Sequence, residues 1–384
     1  MLKLSLQGGF GEKGRTSVAV EDNGTRVMLD AGIKVGATGH EYYPMLAGPA
    51  DEIDALIISH AHEDHVGALC RLIALGYGGP IYMTAETRQE MPTTLAQYAE
   101  AGDLNAYLPP DDQIHLFQPG ETLVCGDLMV TTGASGHVAG GVWMAVASGG
   151  KQVVYAADMV PESTVFAMDP LPACDLLILD CSYGCDEVPG TVRAREIAQW
   201  VAEHPDGCLL PTPLSGRSLE LMAALDTPFA IEKGMRHALH DQIMASNALR
   251  ASASELLRAR LAAAIDWEVG EPLPASPLIV HDGMGVAGPS RAAIAAADAA
   301  GMPVLLTGHL PPGSPADLLR RRGRADWIRM PTHPTLNENV ALWENAGRPA
   351  VLGHSCETAV LRQMQDAIPA LKTELHTGQS YTID

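Results

Sequence analysis

Four residues within six positions carry the strongest chemical signal in this chain: His60, His62, Asp64 and His65, in ALIISHAHEDHVGAL (55–69). Three imidazoles and a carboxylate form the donor set of a transition-metal site, zinc first, with manganese or iron able to occupy it. The apolar run before them reads as a strand and the pattern after them as a helix. Residues i and i+2 of an extended segment project to the same side, so His60 and His62 can grip one ion. Past the turn, Asp64 and His65 can reach a second ion nearby. One motif supplies at most two ligands per ion, so others must come from farther along. His137 in TTGASGHVAGG, Asp158 ending QVVYAAD and His354 ending AVLGH are ligand-type residues, each following an apolar strand. Asp30, ending RVMLD, is expected to buttress the histidine loop by hydrogen bonding rather than to bind metal.

Strands must position these groups, and the first 185 residues read mostly as strands and turns. LKLSL (2–6), TSVAVE (16–21), RVMLD (26–30), ALIIS (55–59), VWMAVA (142–147), QVVYAA (152–157) and DLLILD (175–180) are short, apolar or β-branched, and punctuated by Gly, Asn or Asp. Helical patterns interrupt them at 66–76 and 86–102, the second containing a proline. Beyond about residue 186, helices at 192–204, 217–225, 252–265 and 290–300 alternate with strand-like CLLP, PLIVH and PVLLTG, the texture of a parallel α/β unit. A helix at 335–346, the strand AVLG and a helix from about 356 to 371 close the chain. With 384 residues and 47% apolar content, the chain can bury a proper core, and disorder is excluded. Net charge −21 argues against general polyanion binding over the whole surface, but not against a local anion site built around metal ions. Seven scattered cysteines without CxxC spacing fit a reducing compartment. With no apolar stretch of spanning length and no signal-peptide pattern at the start, a cytoplasmic protein without membrane contact is expected.

The residues also carry a family resemblance. MLDAG (28–32), HAHEDHVGAL, Gly136-His137 and the strand ending at Asp158 resemble the ordered motif series of the metallo-β-lactamase fold. LLILDCSYG (176–184), CLLPTPLSGRSLELMAAL, VHDGMGVAGPS (280–290) and VLLTGHLPPGS resemble segments of the β-CASP insertion found in its nucleic-acid-processing branch. MPTHPTLNENVALWENAGRPAVLGHS resembles that branch's closing pair of histidines, here His333 and His354, and LQGGFGEKGRTSVAV is most similar to ribonuclease J. YAAD departs from the Thr-Gly usual before the aspartate.

The resemblance implies an α/β fold: an αββα metallo-β-lactamase sandwich over 1–185 and 330–384, with a β-CASP domain inserted at 186–329. It implies two zinc ions per chain, or manganese, one on His60, His62 and His137, the other on Asp64, His65 and His354, with Asp158 bridging. The position of Asp180 would pair with His333, an imidazole free of metal and suited to give a proton to the leaving oxygen. The implied activity is phosphodiester hydrolysis in single-stranded RNA or DNA, a 5′-to-3′ exoribonuclease with endonuclease activity as an addition, and a homodimer by family habit alone. Catalytic weight falls on Asp64, Asp180 and His333. Ser215 and Arg217, where a helix begins, and His309 are the substrate-binding candidates, although Ser215-Gly216-Arg217 reads equally as a plain helix cap. The arginine run 320–329 reads as a solvated helix end. Two other readings keep the same residues: a hydrolase of a small thioester or lactone, and a non-catalytic partner subunit.

Overall fold

Leu2, Leu4 and Leu6 alternate with less buried Lys3 and Ser5, so the first strand, Leu2–Gly8, has one face to bury. The computed structural model describes residues 1–383 except 246, 247 and 331. In it this strand joins a seven-stranded sheet in the order Ser380–Ile383, Leu2–Gly8, Ser17–Asp22, Thr25–Leu29, Ala55–Ile57, Ile81–Met83, Ile114–Leu116. A six-stranded sheet runs Ala350–His354, Leu176–Asp180, Lys151–Tyr155, Val142–Ser148, Leu128–Ala134, Thr122–Cys125. Leu4, Leu6, Val18, Val20 and Ile57 of the first meet Val142, Met144, Val146, Tyr155 and Ile178 of the second in one buried core. The alternate residues face outward: Met28, Leu56 and Ile81 meet Val66, Leu69, Met91 and Leu95, while Trp143, Ala145, Leu177 and Leu179 meet Leu342, Leu361 and Met364. Two sheets with helices outside each make the expected αββα sandwich.

A third, all-parallel sheet runs Cys208–Pro211, Pro277–Val280, Ala230–Glu232, Ile265–Trp267. Its strands bury both faces. Leu210, Ile231 and Ile279 pack on Ile197, Leu219, Leu239 and Leu257, and Leu209, Leu278 and Val280 on Ala293, Ile294 and Leu319. That is the two-sided pattern of a parallel sheet.

The structure differs from the sequence reading in several elements. The helix expected over 86–102 is broken into Ala85–Tyr98 and Ala101–Ala106, and the last helix covers only Thr358–Met364. Helix Met235–Met244 was not foreseen, and the arginine run begins at the end of a helix, Pro315–Arg321. The segment around Val165 and Phe166 leaves the sandwich and joins the core of the parallel sheet, where Arg250 Nε donates to Ser163 O at 2.6 Å. Among the described residues no helix is long and apolar enough to cross a membrane.

The topology determines where chemistry can gather. Strands Thr25–Leu29 and Ala55–Ile57 are parallel, as are Lys151–Tyr155, Leu176–Asp180 and Ala350–His354. Asp30, His60, Asp158, Asp180 and His354 therefore lie at or just beyond carboxyl ends, the place where open α/β sheets bind ligands.

Candidate metal centre

Asp30 is the anchor of the site. Its backbone turns left-handed (φ 61°), an excursion Asp tolerates better than most residues. Fully buried, it accepts four hydrogen bonds: from Ser59 N (2.6 Å), Ser59 Oγ (2.7 Å), His65 Nδ1 (2.7 Å) and Tyr155 OH (2.7 Å). This is the buttress expected of it. With Nδ1 donating to Asp30, the His65 ring turns its Nε2 toward Asp158 Oδ1, 3.2 Å away. Gly32, two residues on, is required by contact: a Cβ there would lie 1.6 Å from the Asp64 carbonyl oxygen.

His60, His62, His137 and Asp158 bring four ligand atoms within 4.8 Å of one another, and Asp64, His65 and Asp158 do the same. His137 gives its Nδ1 proton to Thr332 O (2.8 Å), leaving Nε2 facing His62 Nδ1 at 3.2 Å. His60 Nε2, His65 Nε2 and Asp158 Oδ1 are buried with no hydrogen-bond partner among the described residues. Orphaned atoms of this kind are costly unless something absent satisfies them. Burial holds His60 and His62 well below the usual histidine range and pushes His137 down to about 4. Burial alone would raise Asp158, but the surrounding His65, His333 and His137 win, and its carboxyl is held well below the usual range. Neutral His60, His62 and His137 beside an anionic Asp158 are in the protonation state that metal binding demands, whereas His65, despite its burial, is held well above the usual range by Asp158, Asp64 and Asp30 and must give up a proton to an ion. The donor set fits a metal ion.

Asp180 and His333 form the expected pair, His333 Nδ1 donating to Asp180 Oδ2 at 2.8 Å. Asp180 also accepts from Ser182 N and Met159 N, and Asn339 Nδ2 donates to its carbonyl at 3.0 Å. The loop bearing His333 is pinned by the capping box of the next helix, Thr335 with Glu338. With Asp158 the pair makes a third close group.

His354 is not brought to the cluster. Its Nε2 lies 3.0 Å from Ala157 O and its Nδ1 3.0 Å from Ser355 Oγ. With both nitrogens engaged it has no lone pair for an ion in this arrangement. Ala157, at φ 49°, is the residue that turns its carbonyl to His354.

Ser215 is also displaced from its expected role. The helix Arg217–Ala224 has no side-chain cap, and the Ser215 hydroxyl instead donates to Glu90 Oε1 at 2.6 Å and lies 3.4 Å from His62 Nε2. Arg217 and His309 do share a cavity, of about 300 Å³, with Lys13, Tyr183, Arg320, Trp327, Arg329 and His333. Burial, then the nearby Lys13 and Arg217, push His309 down to about 4. The arginine run splits. Arg321, Arg322 and Arg324 pair on the surface with Asp317 and Asp298, whereas Arg320 and Arg329 stack over Trp327 and turn into the cavity. Sequence reasoning missed Lys13, Glu90, Tyr183 and these two arginines. The Gly-flanked GEKGR loop and the SYG of the 176–184 segment carried signals for Lys13 and Tyr183; Glu90, in mid-helix, carried none. A larger cleft of about 670 Å³ joins this cavity to the metal cluster, with Lys13, Arg217, His309 and His333 on the walls of both.

Histidines and aspartates gather at strand ends of an αββα sandwich, and residues 25–212 match the family described as the β-lactamase superfamily domain. Over 249 residues the chain is 30% identical to the transcription termination factor FttA of Methanothermobacter thermautotrophicus, covering 58% of this chain and 39% of that protein. It is 31% identical over 217 residues to ribonuclease TTHA0252 of Thermus thermophilus, covering 53% and 50%. Similarity extends to the cleavage and polyadenylation specificity factor 73 of Drosophila melanogaster, at 27% over 248 residues (59% and 36%). The chain thus spans half or less of the length of these relatives. A crystal structure of a protein of unknown function from Enterococcus faecalis superposes over the full length of both chains with a TM-score of 0.61 at 12% identity, a likeness of fold alone.

Proposed function

We propose that the chain is a metal-dependent phosphodiesterase that cuts single-stranded RNA, in the 5′-to-3′ direction. The observation that carries this reading is the cation-lined cavity opening beside His333, next to a ligand cluster ready for metal. Lys13, Arg217, Arg320 and Arg329 around one hollow suit a phosphate backbone better than a neutral thioester or lactone. The curated relatives named as a ribonuclease and as RNA-processing or termination factors support the same class.

In this reading His60, His62, His137 and Asp158 hold one zinc and Asp64, His65 and Asp158 a second, which His354 joins only by giving up Ala157 O. A pair of ions there supplies water acidified toward neutral pH and positive charge at the phosphoryl oxygens. Lys13, Arg217 and Arg329 hold the phosphates on the far side. Asp180 keeps the His333 proton on Nδ1 and steadies the imidazolium, so that Nε2 can hand a proton to the departing oxygen. Tyr183 and Trp327 offer faces for bases. Residues 186–329 act as a lid unit inserted into the sandwich of 1–185 and 330–384, and narrow the cleft to single strands. A cytoplasmic, reducing setting accords with seven cysteines that are all free.

Cleavage of 5′- and 3′-labelled single strands, RNA and DNA in parallel, tests the proposal with Asp64→Ala as control. Mononucleotide released early from the 5′ end and absent from the control is expected. Internal cuts would overturn the polarity. No cleavage by protein carrying two ions would overturn the substrate class.

A further inference from the structure

The wall between the sandwich and the parallel α/β unit contains a hydrogen-bond relay that no motif announces. Glu90 belongs to helix Ala85–Tyr98 on the sandwich, and Ser215 follows strand Cys208–Pro211 of the parallel sheet. Ser215 is buried, and its Oγ donates to Glu90 Oε1 at 2.6 Å across 125 residues of sequence. A hydroxyl has one proton, and here the carboxylate takes it. Toward its other neighbour, His62 Nε2 at 3.4 Å, the oxygen has only a lone pair to offer. An imidazole nitrogen facing an acceptor keeps its proton, so His62 is protonated on Nε2 and bare on Nδ1. His137 is fixed in the opposite sense, with Nδ1 donating to Thr332 O. Two bare nitrogens, His62 Nδ1 and His137 Nε2, therefore face each other at 3.2 Å. Such a pair repels unless a cation lies against both.

We infer that Glu90 and Ser215 are positioning residues for the three-histidine metal site. Acting through the Ser215 hydroxyl, Glu90 fixes the tautomer of His62, so metal affinity on the sandwich depends on a contact with the other unit. The inference rests on the reading of His60, His62, His137 and Asp158 as a metal site. It explains why a serine at a helix start leaves that helix uncapped, and why a mid-helix glutamate lines the cleft.

Two measurements on the intact chain test it: long-range ¹H–¹⁵N imidazole spectra of the metal-free, ¹⁵N-histidine-labelled protein, and zinc affinity by chelator competition. Wild type is expected to show His62 protonated on Nε2. Ser215→Ala and Glu90→Ala should each mix the His62 tautomers and weaken zinc binding about 10- to 100-fold, the usual effect of removing a partner of a metal-ligating histidine. Ser215→Thr and Glu90→Gln, which keep the hydroxyl and the accepting oxygen, should stay close to wild type. His62→Ala separates the two levels of the argument. If it leaves zinc stoichiometry and affinity unchanged, the metal-site reading fails and this inference with it. If His62→Ala loses an ion while Ser215→Ala, with a native melting curve, keeps wild-type tautomer and affinity, the positioning role alone is overturned.

Discussion

Replacing Asp30 by asparagine changes one atom and should disable the second metal position. Asn tolerates the left-handed backbone at φ 61°, so the chain path is unaffected. The amide oxygen can replace Oδ1 and still accept from Ser59 N. The amide nitrogen then stands where Oδ2 accepted from Ser59 Oγ, His65 Nδ1 and Tyr155 OH. The serine hydroxyl can rotate to donate elsewhere; the other two donors are left without an acceptor in a fully buried place. At about 1–3 kcal/mol for each buried group left unpaired, the cost is roughly 2–6 kcal/mol. His65 can escape part of it by moving its proton to Nε2 and accepting from the new amide. That escape places a hydrogen where His65 faces Asp158, so stability is regained at the expense of ligation. Urea unfolding of the chelated protein, together with zinc content and affinity of the folded protein, reads both branches. A destabilisation of at least about 2 kcal/mol, or a 10- to 100-fold loss of affinity at one of two ions, is expected. A variant within about 0.5 kcal/mol of wild type that keeps both ions at wild-type affinity would refute the reasoning.

Other perturbations follow from contacts. Gly308→Ala places a methyl 2.0 Å from Arg217 Nη1, so the guanidinium must leave the cavity; KM for nucleic acid should rise roughly tenfold, worth ~1.4 kcal/mol, with metal content unchanged, and an unaltered KM would remove Arg217 from substrate binding. Gly32→Ala drives a Cβ into backbone rather than a movable side chain, so a loss of about 1–3 kcal/mol or more, with zinc loss, should appear in melting and metal analysis; a native Tm would contradict the packing. Since His309 is held down to about 4 in the folded chain against an ordinary value near 6.5, its stabilising contribution is complete above about 6.5 and drains away as pH falls toward 4. His309→Gln should therefore flatten the acid-side fall of the urea midpoint of chelated protein over that window, and an unchanged slope would show that His309 is not held neutral.

The sandwich was legible because its strands alternate so plainly: Leu2, Leu4 and Leu6, or Val142, Met144 and Val146, leave one reading for which face is buried. The metal loop was legible because four donors crowd six positions, and Asp30 because an aspartate ending an apolar strand has few other employments. What remained hidden has a common physical reason. Glu90, Lys13 and Arg320 act through neighbours supplied by distant segments, and a lone charged residue on a helix or loop looks the same whether it faces water or a cleft. The helix Met235–Met244 escaped although Met235, Leu239 and Ile243 recur at helical spacing, because its start carries no side-chain cap and its end no glycine stop; its His237 and His240 prove exposed, beside Asp241. Ser215 was placed correctly in the chain but in the wrong partnership, since the sequence around a helix start cannot show that a carboxylate 125 residues upstream will claim the hydroxyl.

The way strands from the two extremities pair has a consequence for how the molecule is made. Leu2–Gly8 lies between Ser17–Asp22 and Ser380–Ile383, Phe10–Gly11 pairs with Cys356–Glu357, and the carbonyl that orients His137 belongs to Thr332, 195 residues later. A nascent chain therefore exposes the His60–His65 loop long before the groups that lock it have left the ribosome. Such long-range and parallel pairings also form slowly. The three-histidine pocket is completed only once Thr332 and the strands beyond it have docked, so tight loading with metal waits until both parts of the sandwich have been made and joined.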